Sequence, residues 1–482
     1  MLFNSVHFLL FFPLVVGLYF TLPQRFRWVL LLAASYYFYM CWKAEYVFLI
    51  IISTVMDYYV ARRMAGCATT GRRRLYLVLS LAGNLGLLFA FKYFNFFSAS
   101  ARVVLSQFNM FYDAPVFQVL LPVGISFYTF QTLSYTIDVY RGKIQPETHL
   151  GIFALYVAFF PQLVAGPIER STRLLPQFYQ QHDFDYRKAT DGLKLMLWGF
   201  FKKVVIADRV AVVVNHVYNN PQAYEGTAII IATYLFAIQI FCDFSGYSDI
   251  AMGVARVMGY DLMKNFNRPY HAHSIAEFWQ RWHISLSTWF RDYLYIPLGG
   301  NRVAKLRWFF NLAVVFVVSG LWHGAAWTFV LWGALHGLYM VFSIVTYRAR
   351  QCAYRLLRLD PESAVARLWQ ALITFHLVCF AWIFFRANSA GDAFYLIGHL
   401  FTNVRLSLSG YNLGLPREEL VIAGLAILIM EAVHLMQTRY DVVSLLGRRP
   451  TYLRWALYYA LAGCIIFWGA FNNSSQFIYF QF

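Results

Sequence analysis

Long runs of apolar residues alternate with short basic segments along almost the whole chain. A helix that crosses a bilayer needs about 20 mostly apolar residues, whereas transmembrane β-strands show alternating hydrophobicity in segments of about ten. The runs do not alternate in this way, so they predict an all-α, polytopic membrane protein with about 11 transmembrane helices. They lie at residues 2–20, 28–42, 46–60, 75–94, 151–164, 227–241, 309–322, 325–345, 368–385, 420–435 and 452–471.

The composition of the chain excludes a soluble globular protein. Of the 482 residues, 60% are hydrophobic and 13% are charged, whereas soluble globular proteins have about 25% charged residues. No internal repeat and no linker rich in glycine, proline or serine divides the chain. We therefore expect residues 1–482 to form a single transmembrane domain.

The net charge of +17 comes mainly from basic residues between the apolar runs. This distribution is typical of the excess of lysine and arginine in cytoplasmic loops, and it makes nucleic-acid binding unnecessary as an explanation. Three runs precede the first basic group, and one follows the last, so both termini are predicted to face outward. The five basic groups lie at residues 62–74, 188–209, 302–307, 348–358 and 439–454.

The first two basic groups are separated by three apolar segments, and an odd number of crossings cannot join two loops on the same side. One segment must therefore enter the membrane and return. We expect this of residues 121–139, because Ser126, Gln131, Ser134 and Asp138 interrupt the apolar pattern. Such a segment is tolerated only where protein or water surrounds it, which predicts re-entrant helices around a central tunnel.

A first polar cluster follows the apolar run at 227–241, contains Asp243, Ser245 and Asp249, and continues to residues 264–270. Ionisable residues inside a membrane are costly, so such a cluster is a candidate lining for a substrate channel. The alternative is a break in the helix, with the aspartate and serine side chains capping the next helix. The residues alone leave both interpretations open.

A second cluster spans residues 277–292 and is too polar for an ordinary transmembrane helix. On one helix, Glu277 and Arg281 would be neighbours, as would Trp279 and His283. The segment is either an amphipathic helix at the membrane surface or a re-entrant helix that carries His283 into the cavity. We favour the re-entrant helix, because the segment holds more polar groups than a surface anchor needs.

A third feature is His323, which lies between two strongly apolar runs. Either a hairpin places it at a turn on the non-cytoplasmic side, or Gly320 and Gly324 break the helix within the membrane. A neutral imidazole can act as a general base, although a hydrogen-bonded core histidine explains the spacing equally well. His336, 13 residues later, would lie about 220° away around one helix, which predicts a packing role.

The sequence contains no GxSxG elbow, P-loop, HExxH motif or Cys/His metal spacing. A serine hydrolase, an ATP-driven pump and a zinc enzyme therefore have no positive support. From the residues alone, the chain is a membrane protein with a polar core and two buried histidines.

Several long motifs follow one another along the chain. They include a Pro-Gln-Leu-Val-Ala-Gly-Pro-Ile stretch, an Arg-Trp-His segment and a Trp-His-Gly motif. The motifs lie at residues 1–20, 121–128, 137–141, 160–168, 243–249, 265–270, 277–298, 320–324 and 477–482. Together and in this order, they resemble the membrane-bound O-acyltransferase family, and in particular its bacterial alginate O-acetyltransferase-like branch.

The resemblance implies a ring of spanning helices around a tunnel. It also implies that His323, in the Trp-His-Gly motif, is an essential catalytic residue, and that His283 is a second catalytic candidate. We expect substrate to contact Asp243, Ser245, Asp249, Asn267, Arg281, Trp282, Ser287 and Trp322.

The implied reaction is O-acetyl transfer in a bacterial inner membrane. Cytoplasmic acetyl-CoA would deliver its acetyl group to an extracytoplasmic polysaccharide, directly or through a periplasmic acetyltransferase partner. His323 would take the proton of the attacking hydroxyl, and His283, Ser287 or a nearby asparagine would stabilise the oxyanion or position the donor. We expect contact with membrane lipids, and we expect neither a bound cofactor, a metal nor a nucleic-acid partner.

Other functions are compatible with the same scaffold. D-alanyl transfer to teichoic acid and O-acetylation of peptidoglycan would change the acyl group or the acceptor. From a different class, a transporter or flippase would also need buried ionisable residues and a cavity. A transporter is expected to show two halves of related hydropathy, and the sequence shows no such repeat.

Overall fold

The computed structural model describes residues 1–112, 116–117, 121–404, 413–471 and 477–478. Their regular structure is helical, and no β-strand occurs in these ranges, which confirms the all-α prediction. The α-helices are α1 (Val6–Thr21), α2 (Gln24–Met40), α3 (Val47–Ala65), α4 (Thr70–Leu88), α5 (Phe94–Ser106), α6 (Ile125–Tyr140), α7 (Leu150–Ala158), α8 (Ser171–Tyr179), α9 (Tyr186–Phe200), α10 (Asp208–Tyr218), α11 (Thr227–Val257), α12 (Ile275–Arg281), α13 (Ile284–Phe290), α14 (Lys305–His323), α15 (Trp327–Val345), α16 (Tyr347–Leu356), α17 (Ala364–Arg386), α18 (Ala390–Gly398), α19 (Arg417–Met436), α20 (Val442–Gly447) and α21 (Thr451–Trp468).

Seven helical segments in the described ranges are long and apolar enough to cross a membrane, so the chain is a multi-pass membrane protein. The count of about 11 stays a prediction. Helix α1, at 16 residues, is shorter than the seven. The seven are Ala44–Ala65, Thr70–Ser106, Thr227–Val257, Lys305–His323, Trp327–Val345, Ala364–Arg386 and Arg417–Met436.

The predicted run at 151–164 forms only the nine-residue helix α7. Pro161 lies in the turn that follows, where its missing N–H and its ring prevent the helix from continuing. A nine-residue helix is about 14 Å long, which is less than half the hydrocarbon thickness. The expectation that this run is a full span is therefore wrong.

The segment predicted to enter and return, 121–139, contains helix α6. Gly124 precedes this helix with a φ of +78°, and nearly every residue of α6 is buried in protein. The Gln131 side chain donates a hydrogen bond to the Tyr156 carbonyl at 2.6 Å. Protein therefore surrounds the polar residues of α6, as a half-crossing segment requires, while the half-crossing itself stays a prediction.

The chain forms two compact units. The first comprises Met1–Met196 with Ile250–Met263, and its core includes a buried carboxylate, Asp57, which accepts hydrogen bonds from Ser80 and Asn84. The second comprises Leu197–Asp249 with Lys264–Phe482. The second unit contains every residue that the sequence singles out as a candidate site residue.

Candidate active site

The aspartates and the serine of the first predicted polar cluster lie on helix α11, which is unbroken. It runs through Asp243, Ser245 and Asp249, so the alternative of a helix break is wrong. Gly246 lies so close to the end of α9 that a Cβ atom would stand 2.8 Å from the Gly199 carbonyl oxygen. The lack of a side chain at Gly246 therefore allows the cluster to approach the segment that follows α9.

That segment, the π-helical stretch Phe201–Ala207, carries the buried residue Lys202. The Lys202 ammonium lies 2.7 Å from the Asp249 carboxylate and donates to the Ser245 hydroxyl at 2.9 Å. A buried charge is tolerated only with a partner, and each of these groups supplies one to another. Asp249 and Ser245 therefore have a structural role in addition to the predicted contact with substrate.

Lys203 forms a second buried network beside the first. Its ammonium lies 2.6 Å from Asp243 and 2.7 Å from Asp208, and Asp243 also accepts the backbone N–H of Ile478 at 2.7 Å. The sequence placed Lys202 and Lys203 in the basic group at 188–209, as part of a cytoplasmic loop. The structure corrects the loop, because both lysines lie in a helical segment and are buried and paired with aspartates, while the cytoplasmic side stays a prediction.

The second predicted cluster, 277–292, is not one helix. Helix α12 ends at Arg281 and α13 begins at Ile284, and His283 between them is buried with a φ of +44°. The expectation that Trp279 and His283 are helical neighbours is therefore wrong. A left-handed conformation is uncommon outside glycine, and such outliers concentrate at functional sites.

Asn265 replaces the helical hydrogen bonds that are lost at this break. Its carbonyl accepts the N–H of Ile284 at 2.9 Å, and its side-chain oxygen accepts the Ser285 hydroxyl at 2.6 Å. Its side-chain nitrogen donates to Ser248 on α11 at 3.2 Å. Asn265 belongs to the first predicted polar cluster, but the sequence did not indicate this role, because only the fold brings Asn265 to residues 284 and 285.

The remaining candidates of this cluster lie around the same break. The Asn267 N–H donates to the Arg281 carbonyl at 2.9 Å, and the predicted ion pair of Arg281 with Glu277 is confirmed. The Ser287 hydroxyl donates to the carbonyl of the buried Trp282 at 3.1 Å. In this structure, Asn267 and Ser287 therefore stabilise the backbone that positions His283.

His323 is the last residue of α14, and Gly324 follows it at the turn into α15. His323 therefore lies at the turn of a helical hairpin, whereas its side of the membrane and its depth in the membrane stay predictions. The two helices cross closely, because a Cβ atom on Gly320 would stand 2.2 Å from the Phe329 carbonyl oxygen, and one on Gly333 would stand 2.3 Å from that of Phe316. The hairpin buries His323 among aromatic side chains.

The fold brings the two candidate catalytic histidines together. The imidazole centroids of His283 and His323 are 6.4 Å apart. Trp322 contacts the His283 ring at 5.8 Å, and Phe244 on α11 contacts it at 4.6 Å. Both histidines are almost completely buried, so the pair lies in an aromatic site largely shielded from water.

This arrangement allows both imidazoles to act on one substrate group. Proton transfer needs heavy-atom distances of about 2.6–3.2 Å, and a hydroxyl or carbonyl located between two rings at this separation can reach both. One imidazole can accept a proton while the other donates a hydrogen bond to a developing negative charge. The geometry therefore suits acyl transfer by general-base catalysis.

His336 has the predicted packing role, although the angular argument for it was wrong. His323 and His336 lie on different helices, so an angle around one helix does not relate them. The buried His336 accepts a hydrogen bond from the Trp279 indole at 3.3 Å. The Trp332 ring contacts both His323 and His336, at 5.0 and 5.1 Å.

Known proteins resemble this chain over most of its length. The model of the membrane-bound O-acyltransferase family matches residues 148–387, a range that includes both histidines. A probable alginate O-acetylase of Azotobacter vinelandii is 39% identical over 456 residues, which are 94% of this chain and 86% of the relative. A probable alginate O-acetylase of Pseudomonas aeruginosa is 40% identical over 416 residues, which are 86% of this chain and 77% of the relative.

One relative has a different named acceptor. A peptidoglycan O-acetyltransferase of Helicobacter pylori is 36% identical over 391 residues, which are 75% of this chain and 71% of the relative. The relatives of this chain therefore include acetyltransferases whose names give different acceptors.

Proposed function

Since this chain belongs to the membrane-bound O-acyltransferase family and is an O-acetyltransferase, we propose that it transfers an acetyl group from cytoplasmic acetyl-CoA to an extracytoplasmic polysaccharide. The observation that carries the proposed chemistry is the buried pair of His283 and His323, with ring centroids 6.4 Å apart. The acetyl group and the polysaccharide follow the names of the alginate O-acetylase relatives, which are 39–40% identical.

In the proposed reaction, His323 takes the proton of the acceptor hydroxyl as the oxygen attacks the thioester carbonyl. A C–O bond forms, and the carbonyl oxygen becomes a tetrahedral oxyanion. The N–H of neutral His283 donates a hydrogen bond to this oxyanion. The intermediate then collapses, the C–S bond breaks, and the CoA thiolate takes the proton from the His323 imidazolium.

The acceptor of this step is either the polysaccharide or a hydroxyl of a periplasmic acetyltransferase, which then modifies the polymer. Both routes need an acetyl donor on the cytoplasmic side and an acceptor outside. A tunnel that contains the two histidines connects them in this proposal. Its place is the cytoplasmic, or inner, membrane of a bacterium, where these two compartments meet.

The test is acetyl transfer from radiolabelled acetyl-CoA in proteoliposomes that contain the full-length protein, with polysaccharide and partner acetyltransferase supplied outside. We expect His323→Ala to lower transfer by about 100-fold or more, since general-base catalysis contributes about that much. His283→Asn is the sharper variant at the second site, because asparagine tolerates the left-handed backbone and removes only the imidazole.

His376→Ala is the matched control, because His376 lies exposed on α17 and a folded variant should retain native transfer. Native-level transfer by His323→Ala would overturn the mechanism. If the native protein ignores acetyl-CoA but accepts a D-alanyl carrier protein, the donor assignment is wrong while the histidine chemistry survives.

A further inference from the structure

Three potential metal ligands converge in the second unit, apart from the two catalytic histidines. His271 ends the 3₁₀ turn Pro269–His271, while Glu431 and His434 lie one turn apart on α19. His271 Nε2 lies 3.0 Å from one Glu431 carboxylate oxygen, and His434 Nδ1 lies 3.3 Å from the other. The ligand atoms of all three residues lie within 4.8 Å of one another.

We propose that His271, Glu431 and His434 bind one zinc ion or a similar divalent transition metal. Two imidazoles and one carboxylate form a ligand set that binds zinc, at distances of about 2.0–2.2 Å. Tetrahedral ligands at that distance stand roughly 3.3 Å apart. The two separations between imidazole and carboxylate, 3.0 and 3.3 Å, match this value, and the two imidazoles, whose ligand atoms lie within 4.8 Å of each other, can approach it by side-chain rotation. The spacing of three residues on α19 directs Glu431 and His434 to one face of the helix.

The surroundings provide a fourth coordination position. His271 and Glu431 line a cavity of about 690 Å³ that also contacts Tyr270 and Phe375. A zinc ion with three protein ligands keeps its fourth position for water or another exchangeable ligand. The Phe241 ring lies edge-on against the His434 ring, with centroids 5.5 Å apart, and restricts the orientation of this imidazole.

Arginines also line this cavity, but two of them pair with other carboxylates. Arg281 pairs with Glu277, and Arg367 pairs with Glu362. Within the part of the chain that the structure describes, Glu431 pairs with the two imidazoles of His271 and His434. Its negative charge therefore lies directly between the two ring nitrogens that would bind the ion.

A metal at this site would stabilise the segment around Asn265, which supports the break between α12 and α13 at His283. His271 follows Asn265 by six residues, and Asn265 stabilises the backbone around His283. A metal would tie this segment to α19. The sequence contains no closely spaced metal ligands that would indicate this site, because His271 and Glu431 are 160 residues apart.

The test is metal binding by the purified full-length protein, carrying an affinity tag without histidine and freed of metal by a chelator. Titration with zinc should show one tight site, and cobalt should give the visible absorption of a tetrahedral ion. Zinc should also raise the melting temperature, since a ligand that binds only the folded state stabilises it.

His434→Ala and Glu431→Gln should each weaken zinc binding by at least about tenfold and remove the zinc-dependent rise in melting temperature. Glutamine keeps the size of glutamate, so the second variant remains informative if the first does not fold. His273→Ala is the matched control, because His273 lines the same cavity but hydrogen-bonds to Glu277, and it should bind zinc as the native protein does.

The proposal is wrong if the native protein takes up neither zinc nor cobalt, or if His434→Ala and Glu431→Gln bind zinc like the native protein. In either case, the three residues form only a hydrogen-bonded clamp. None of these measurements uses acetyl transfer, so the outcome is independent of the proposed function.

Discussion

At the scale of single residues, one asparagine organises the conformation of a candidate catalytic histidine. His283 has a left-handed backbone conformation with a φ of +44°, which carries an energetic cost for a residue other than glycine. Asn265 makes this conformation possible, because it bonds to Ile284, Ser285 and Ser248. The position of the imidazole therefore depends on a side chain that takes no part in the proposed chemistry.

We predict that Asn265→Ala lowers acetyl transfer by about 100-fold, because a small displacement of a catalytic group has effects of that size. The variant should also lose about 1–3 kcal/mol of stability, since it leaves buried partners unsatisfied. Transfer assays and thermal unfolding in detergent measure the two effects. Asn301→Ala, at an exposed turn, is the control, and full activity of Asn265→Ala would contradict this role.

A second residue makes the stability of the protein depend on pH. Glu169 lies between α7 and α8, and burial raises its pKa from 4.5 to about 7, more than the N–H of Met263 lowers it. The folded chain therefore holds this proton more tightly than the unfolded chain does. Stability from this group is present below pH 4.5 and is lost as the pH rises toward 7.

We predict that Glu169→Gln flattens the pH dependence of the melting temperature between pH 5 and pH 8. The contribution at stake is about 3 kcal/mol, because each unit of pKa difference corresponds to about 1.4 kcal/mol. The native protein should lose stability across this interval relative to the variant. Parallel melting profiles for the two proteins would show that Glu169 does not titrate in this way.

At the scale of helices, the apolar runs predicted most of the long helices. They did so because apolar segments and the polar residues that bound them differ clearly within a short stretch of sequence. Runs such as 325–345 and 368–385 correspond to α15 and α17, because these segments are apolar around most of their surface and are bounded by polar residues. The two apolar runs on either side of His323 indicated the hairpin as one of two alternatives, and the structure has this hairpin. These features depend on residues close to one another in the chain.

The features that the sequence did not predict depend on distant residues. The break at His283 needs Asn265, and the burial of Lys202 and Lys203 needs aspartates on α11. Periodicity within one segment carries no information on such partners. For this reason, most candidate site residues were identified by type, whereas their contacts became clear only from the fold.

The close crossing of α14 and α15 gives a prediction at this scale. Gly320→Ala would place a Cβ atom 2.2 Å from the Phe329 carbonyl oxygen, so the helices must separate and His323, three residues further on, must move. We expect a loss of about 1–3 kcal/mol, as overpacking usually costs, together with a loss of acetyl transfer. Unfolding and transfer assays measure both.

Gly86→Ala on α4 is the matched control for this substitution. An added Cβ at Gly86 meets no atom within 4 Å, and alanine favours a helix more than glycine does. This variant should keep or gain stability. If Gly320→Ala and Gly86→Ala have the same stability and the same acetyl transfer, α14 and α15 do not cross as closely as this structure shows.

At the scale of the whole molecule, the distribution of charge predicts the orientation in the membrane. The basic group at 348–358 is expected on the cytoplasmic side, together with the other basic groups. The exposed residues Cys41 and Cys352 report on this arrangement. Cys41 follows α2, which should end outside, whereas Cys352 belongs to this basic group.

We predict opposite labelling of these two cysteines by a membrane-impermeant maleimide. In variants that retain one cysteine each, Cys41 should react from the outer side in intact cells, and Cys352 should react only after the cytoplasmic side is exposed. The buried Cys242 should remain unlabelled from either side and serves as the control. Labelling of Cys41 and Cys352 from the same side would rule out this topology.

The buried pair of Lys202 and Asp249 has a consequence for how the protein is made. A buried ion left without its partner destabilises a protein by about 3–5 kcal/mol. The ribosome adds the partner carboxylate 47 residues after the lysine, which takes roughly 2–9 s at ordinary rates of synthesis. During that interval Lys202 lacks this partner, so its stable burial must wait until α11 has been made.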